Sequence, residues 1–414
     1  MNTQTLNTFA PDYPAARHLP SVDRYPARAR FILKMLSGLQ HGALQLELPD
    51  GQSAHFGDHS HPVALRLKNW TMFDAVLRSG DIGFAETYID GSWSTDDLTG
   101  LIELFIRNRQ AIESLFHGKW WGRMLYRMRH LFNRNSRSGS RRNIHAHYDI
   151  GNDFYQLWLD PSMTYSSALF SKGHDSNLQQ GQEAKYRRIL GQLAVKPGER
   201  ILEIGCGWGG FAEIAARVGG AMVSGLTLSE EQLRYAKQRL ADAGLADRTE
   251  VMLMDYRDSN GRYDAIASIE MFEAVGEEYW PAYFDCVGRN LKQGGRACIQ
   301  TIVIADELFE NYRKGTDFIQ QYIFPGGMLP SPSAFRSEAE KHGLCIVNEF
   351  AFGADYARTL AEWRDAFKRQ LPQVRKQGFD ERFLRTWEFY FGYCEAGFRA
   401  DSISVMQFTL KKFW

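Results

Sequence analysis

The chain has 414 residues with 49 basic and 49 acidic side chains, so its formal net charge of zero leaves no overall field to select nucleic acid or an acidic surface. A hydrophobic share of 44% is enough for more than one core, and two domains is the natural prior. The five cysteines, at 206, 286, 298, 345 and 394, are odd in number and lack C-x-x-C spacing, which argues against a disulfide framework or a zinc site and suits a reducing cytoplasm.

Residues 1–21 are polar and proline-punctuated and read as a flexible tail with no apolar stretch of signal-peptide length. No later run approaches the roughly 18 apolar residues that span a bilayer, so a soluble or peripheral protein is expected. Residues 22–116 carry enough apolar content for a small N-terminal domain. Its candidate helix and strand segments are Phe31-Ile32-Leu33, Leu44 to Leu48 and Leu65-Arg66-Leu67.

Residues 117–143 form a basic amphipathic linker. Between Glu113 and Asp149 there is no acid, while Lys119, Arg123, Arg127, Arg129, Arg134, Arg137, Arg141 and Arg142 are all basic. Trp121, Met124, Leu125, Met128, Leu131 and Phe132 recur beside them at helical spacing. Two readings stand: a helix lying on an anionic membrane, or a stripe packed between domains with solvated arginines. No reader module for nucleic acid accompanies the charge. His145 and His147 have no patterned third ligand, and no metal is expected.

Residues 144–414 alternate strand and helix. Ile201, Leu202 and Ile204 form a short apolar strand that runs straight into Gly205-Cys206-Gly207-Trp208-Gly209-Gly210, followed by a helix over Phe211 to Val218. Further strands are expected near Gly225, at Thr249 to Tyr256, at Tyr263 to Glu270 and at Ala297 to Ile304, with helices at Glu230 to Ala243 and Glu277 to Asn290. This pattern implies an α/β fold with a mostly parallel, doubly wound sheet whose ligands sit at the carboxyl ends of the strands. By that rule Gly205, Thr227, Asp255, Glu270 and Gln300 approach one crevice. Residues 306–344 interrupt the alternation with an aromatic, glycine-rich insertion, Tyr322 to Pro330, suited to covering an apolar substrate. Ile403 to Leu410 is the last candidate strand.

Two cofactors fit the glycine turn. Gly205, Gly207 and Gly210 satisfy the dinucleotide spacing, but the second strand ends in Gly225-Leu226-Thr227-Leu228-Ser229, with no acid for the ribose hydroxyls. Glu203 instead precedes the first glycine, and Gly205-x-Gly207-x-Gly209 is the turn that S-adenosylmethionine methyltransferases prefer.

Several motifs in order carry a resemblance. His147-Tyr148-Asp149-x-Gly151-Asn152-Asp153-Phe154-Tyr155, Tyr165-Ser166, Leu202 to Gly210, Met271-Phe272-Glu273, Tyr322-Ile323-Phe324-Pro325-x-Gly327 and Phe352 to Tyr356 together resemble the cyclopropane-fatty-acyl-phospholipid synthase family. The likeness implies a class I (Rossmann-like) methyltransferase that uses S-adenosylmethionine to methylate the cis double bond of unsaturated acyl chains in membrane phospholipids. It implies a cytoplasmic protein at the inner face of an anionic membrane, and leaves a homodimer open. Cofactor contacts carried over by resemblance fall on Tyr165, Ser166, Glu203, Gly205, Cys206, Gly207, Thr227, Gln232 and Tyr256, with Asp255 beside them.

Members of that family hold a bicarbonate ion near the transferred methyl. The resemblance places this chain's Ser167, Glu273, Gln300, Ile302 and Tyr356 there as catalytic candidates. Ser167 stands where the family has a cysteine, Gln300 where it has a histidine, and Ala274 where a histidine commonly follows the glutamate. Glutamine cannot become the cation that histidine can, so bicarbonate is left open, and so is the product: a cyclopropane, or a methylene or methyl-branched chain. Glu270 is either a cofactor-side group or a strand-end acid. Cys394 is read as helical packing. A small-molecule methyltransferase would have no use for the basic stretch, and a non-catalytic lipid-binding relative would be expected to lose the glycine turn, which is intact.

Overall fold

The computed structural model describes residues 24–58, 60–113, 150–171 and 175–413. The basic linker, His145 and His147 lie outside the described residues. Two sheets organise the rest. The smaller, in the order β2-β1-β3-β4, is built from β1 (Ala43–Glu47), β2 (Ser53–Gly57), β3 (Val63–Leu67) and β4 (Trp93–Ser94). Its strands alternate buried and exposed positions, as Leu44 and Leu46 do in β1, because only one face meets the core.

The larger sheet has seven strands in the order β10-β11-β9-β8-β5-β6-β7. They are β5 (Arg200–Ile204), β6 (Met222–Thr227), β7 (Thr249–Leu253), β8 (Tyr263–Ile269), β9 (Leu291–Ile304), β10 (Leu344–Ala351) and β11 (Ile403–Lys412). Strands β5 to β9 run parallel, whereas β11 is antiparallel to both β9 and β10. The parallel strands are continuous apolar runs, Ile201, Leu202 and Ile204 among them, because helices cover both faces. Chain order reverses between β5 and β8, and that switch point opens the crevice in which such sheets bind ligands.

Several boundaries differ from the sequence reading, each for a local reason. The third strand stops at Leu253 because Asp255 caps a 3-10 turn, Tyr256–Asp258, by accepting from the Arg257 N–H at 3.0 Å. The helix expected from Glu277 begins at Trp280, with Pro281 in its first turn, after a separate turn at Glu277–Tyr279. The insertion contains three helices, Asp306–Tyr312, Phe318–Tyr322 and Pro332–Lys341. Beyond it lie β10 and two long helices, Gly353–Arg369 and Glu381–Arg399; the sequence reading gave neither helix bounds, and Cys394, read as helical packing, lies in the second.

Those two helices join the N-terminal part to the rest. One apolar cluster includes Leu44, Phe73 and Trp93 together with Phe154, Trp158, Phe318, Trp363 and Phe391. Polar ties cross the same junction: Tyr88 donates to Glu388 at 3.1 Å, Arg385 to the Tyr88 carbonyl at 2.7 Å, and Tyr322 to Glu86 at 2.5 Å. The small sheet and the seven-stranded sheet therefore close over a shared interior, and a cavity lies within it.

Candidate active site

A cavity of about 1200 Å³ opens at the switch point, above the range of about 300 to 1,000 Å³ usual for one small ligand. One end is the glycine turn, where Gly205 (φ +83°), Gly207 (φ +52°) and Gly209 (φ +82°) all take left-handed backbone. The turn is pinned by the Gly205 and Cys206 N–H groups, which donate to the Leu226 carbonyl at 3.0 and 2.8 Å. A Cβ at Gly205 would stand 2.9 Å from Met271 Cγ, while one at Gly207 would project into open cavity. The turn is thus a cradle that a side chain would fill.

All ten expected cofactor residues line this one space: Tyr165, Ser166, Glu203, Gly205, Cys206, Gly207, Thr227, Gln232, Asp255 and Tyr256. Their donor set suits S-adenosylmethionine. Glu203 is buried with Oε2 left without a hydrogen-bond partner, and burial pushes its carboxyl well above the usual range, so a cationic ammonium nearby would restore its charge. Thr227 donates to Gln232 Oε1 at 2.8 Å, a neutral pair at the end of β6 where a dinucleotide site would carry an acid. Asp255 is engaged by Arg257 at 2.5 Å, which holds the turn after β7. Beneath Ser166, the fully buried Lys185 donates to Ser166 Oγ at 2.5 Å and to Gln182 Oε1 at 2.7 Å. Burial pulls that ammonium down to about 7, against the pull of Glu270, Asp160 and Glu203.

The far side of the same opening is built around two carboxyls three residues apart. Glu270 directly follows β8 with φ +50°, a left-handed conformation rare outside glycine. Its Oε1 accepts from the Ser167 N–H and from Gln300 Nε2, both at 2.8 Å, and its Oε2 accepts from the Tyr356 hydroxyl at 2.6 Å. Glu273 sits in the following turn, Phe272–Ala274, where one oxygen accepts from the Ile302 N–H and the other is buried without a partner. Burial and the neighbouring Glu270 push the Glu273 carboxyl up to about 8, so a charge on Glu270 disfavours a second one on Glu273. Burial raises the Glu270 carboxyl too, but Lys185 and the three donors oppose that rise, so of the two acids Glu270 is the one built to hold the charge.

The chain's own relatives place this arrangement. Residues 135–408 match the family model for mycolic acid cyclopropane synthetase. The chain belongs to that family. Over 96% of this chain and 95% of the other, it is 36% identical to the tuberculostearic acid methyltransferase UfaA1 of Mycobacterium tuberculosis. It is 35% identical to the cyclopropane-fatty-acyl-phospholipid synthase of Escherichia coli, over 85% of this chain and 89% of that one. Among solved structures, the mycolic acid cyclopropane synthase CmaA1 in complex with SAH and CTAB superposes with a TM-score of 0.62 at 33% identity, covering 66% of this chain and 98% of that one.

The five residues that the resemblance assigns to a bicarbonate ion divide into two groups. Glu273, Ile302 and Tyr356 line the cavity, whereas Ser167 and Gln300 are fully buried behind it. Ser167 turns its hydroxyl to the Ala168 carbonyl at 2.9 Å and offers only its backbone N–H. That N–H, the Gln300 amide and the Tyr356 hydroxyl are all engaged by Glu270, and Ile302 is engaged by Glu273. A second anion would meet a carboxylate with no donor to spare. These residues do not fit bicarbonate.

Glu270 is the residue that the motif reading left undecided. Its one sequence signal was position, an acid at the carboxyl end of the fourth parallel strand; its three donors come from distant segments and leave no local pattern.

Proposed function

We propose that this chain transfers the methyl group of S-adenosylmethionine to the cis double bond of an unsaturated acyl chain carried on a phospholipid. The observation that carries this reading is the continuity of the cavity. The same space that holds the glycine turn extends past Tyr356 and Phe398 to an apolar wall of Ile32, Met35, Met72, Phe73, Val76 and Phe105 from the N-terminal part. A cofactor at one end and a long apolar chain at the other fit its size and its polarity.

S-adenosylmethionine, when bound, supplies an electrophilic methyl on a sulfonium. An alkene is a weak nucleophile, so the residues of the chain act chiefly by holding the double bond in line and excluding water. The rings of Tyr165 and Tyr390, whose hydroxyls are 2.8 Å apart, and the Tyr356 ring, tilted against Phe398 with centroids 4.5 Å apart, present aromatic surface to the positive charge that develops on the acyl chain. Glu273, Tyr356 and Ile302 belong to this wall, while Ser167 and Gln300 act through the carboxylate they hold.

Purified protein incubated with S-adenosylmethionine and vesicles of cis-unsaturated phospholipid is expected to add one CH₂ to the acyl chain. No change in acyl mass with any unsaturated lipid would refute the assignment. A methylene or methyl-branched alkene product is a second reading, favoured by the tuberculostearic acid methyltransferase that matches nearly the whole chain. Hydrogenation under conditions that spare a ring separates them, because an alkene product gains two hydrogens and a cyclopropane none.

No helix among the described residues is long and apolar enough to cross a membrane. Access to lipid is assigned to the basic segment 117–143, whose eight cationic residues at 119–142 would each contribute about 1 kcal/mol at an anionic surface. Co-sedimentation with anionic vesicles, weakened by salt, is the expected result; binding indifferent to both lipid charge and salt would leave the segment a packing element.

A further inference from the structure

The reaction needs a base. Once a methyl group has joined one alkene carbon, the neighbouring carbon is cationic, and a proton must leave the new methyl before a neutral product forms. Among the described residues, six carboxyls line the cavity: Asp81, Glu203, Asp255, Glu270, Glu273 and Asp317. Asp255 is neutralised by Arg257, and Asp81 is occupied at the N-terminal junction by the Phe318 N–H and the Tyr393 hydroxyl. Asp317 caps the helix Phe318–Tyr322. Glu203 lies on the cofactor side, under the glycine turn. Glu273 has one donor and one orphaned oxygen, the surroundings of a neutral acid.

Glu270 alone is built as a carboxylate on the substrate side. Three donors from three separate segments converge on it, and its φ of +50° is a backbone cost, of order 1 kcal/mol or more, that this convergence sustains. We propose that Glu270 is the catalytic base, a carboxylate supplied by the chain itself where the donors would otherwise hold a free anion. The inference rests on the acyl-methylation reading above and names the group that completes it.

The step balances. The sulfur–methyl bond breaks and its electron pair stays on sulfur, while the alkene π pair forms the new carbon–carbon bond. Glu270 takes a proton from the added methyl, and the released C–H pair closes the three-membered ring. If a hydride first shifts from the methylated carbon to its cationic neighbour, the cation moves to the methylated carbon and the same deprotonation leaves a C=CH₂ methylene branch on the open chain. Either product returns Glu270 as a neutral acid, which loses its proton to water when the product departs.

The test compares the native protein with Glu270→Gly and Glu270→Gln on unsaturated phospholipid vesicles, with saturating S-adenosylmethionine in buffer purged of carbon dioxide. Glycine is at ease at φ +50°, so Glu270→Gly keeps the backbone and opens a space lined by the Ser167, Gln300 and Tyr356 donors. The native rate is expected to be unchanged when bicarbonate is restored. Both variants are expected to bind S-adenosylmethionine calorimetrically as the native protein does, and to lose about 10²- to 10⁴-fold in turnover. Formate or bicarbonate should recover at least about tenfold in Glu270→Gly and nothing in Glu270→Gln, whose amide fills the space.

A native rate that falls without bicarbonate overturns the proposal. So does a Glu270→Gly that turns over normally without added anion, or one that binds cofactor yet responds to neither anion. A native protein that methylates no lipid fails at the earlier step and refutes the acyl-methylation reading itself.

Discussion

At the scale of single residues, charge and space in the cavity decide what each group can do. Gly207 sits at φ +52° with nothing within 4 Å of where its Cβ would be. Gly207→Val should therefore strain the turn and intrude on the cofactor, abolishing calorimetric S-adenosylmethionine binding while the far-ultraviolet circular dichroism stays native. Unimpaired binding would show that the cofactor does not approach this turn. Glu273 makes a prediction of a different kind. Burial and the neighbouring Glu270 push its folded-state carboxyl up to about 8 from the usual 4.5. The stability contributed by its protonated form is thus complete below about 4.5, and is lost as pH rises through about 8. Glu273→Gln keeps an acceptor for the Ile302 N–H and cannot ionise. Relative to the native protein it should gain stability between pH 5 and pH 8, by about 1–3 kcal/mol, in denaturant titrations at the two pH values. Equal shifts at both would mean that Glu273 is ionised throughout.

Between elements, the insertion is fastened to the N-terminal part by buried acids. Asp81, at the start of the helix Asp81–Ile89, accepts from the Phe318 N–H at 3.2 Å and the Tyr393 hydroxyl at 2.9 Å. Asp317 caps the helix Phe318–Tyr322 through a reciprocal bond with Gln320, and burial beside Asp81 pushes its carboxyl up to about 7. Tyr393→Phe removes a donor from a buried carboxyl without changing the shape of the ring. A loss of about 1–3 kcal/mol is expected from thermal or denaturant unfolding, with faster proteolysis of the insertion. An unchanged midpoint would mean that Asp81 is neutral and satisfied by the backbone alone.

For the whole molecule, the notable property is that one cavity belongs to two parts of the chain. Val76 lines it from the helix Thr71–Ser79, with Met72 and Phe73, while the glycine turn lines it from the other part. Val76→Trp should shorten the apolar end and lower kcat/KM for long acyl chains by about tenfold, the scale of one to two kcal/mol of lost contact, while leaving cofactor affinity within twofold. Equal turnover of long and short chains by this variant would place the acyl chain elsewhere. The junction also explains why the N-terminal residues are not a detachable unit: Trp93 and Phe73 share an apolar cluster with Trp363 and Phe391, so cutting between them would expose both.

Local pattern was enough for the cofactor half of this protein. A β-strand, a glycine turn and a helix are contiguous, so Glu203 to Gly210 could be read directly, and the absence of an acid after β6 separated S-adenosylmethionine from a dinucleotide. The parallel sheet was legible for the same reason, since alternation of strand and helix has a period in the chain. What the sequence did not contain was any local mark of Glu270's partners. Ser167, Gln300 and Tyr356 lie 103, 30 and 86 residues away from it, and they converge only because β8 and β9 are neighbours and the helix Gly353–Arg369 closes over their ends. The substrate half was illegible in the same way. An apolar side chain such as Val76 looks like core until tertiary packing leaves a space beside it, and the charge of a carboxyl is settled by the donors and burial that folding brings, as Glu270 and Glu273 show from nearly the same place in the chain.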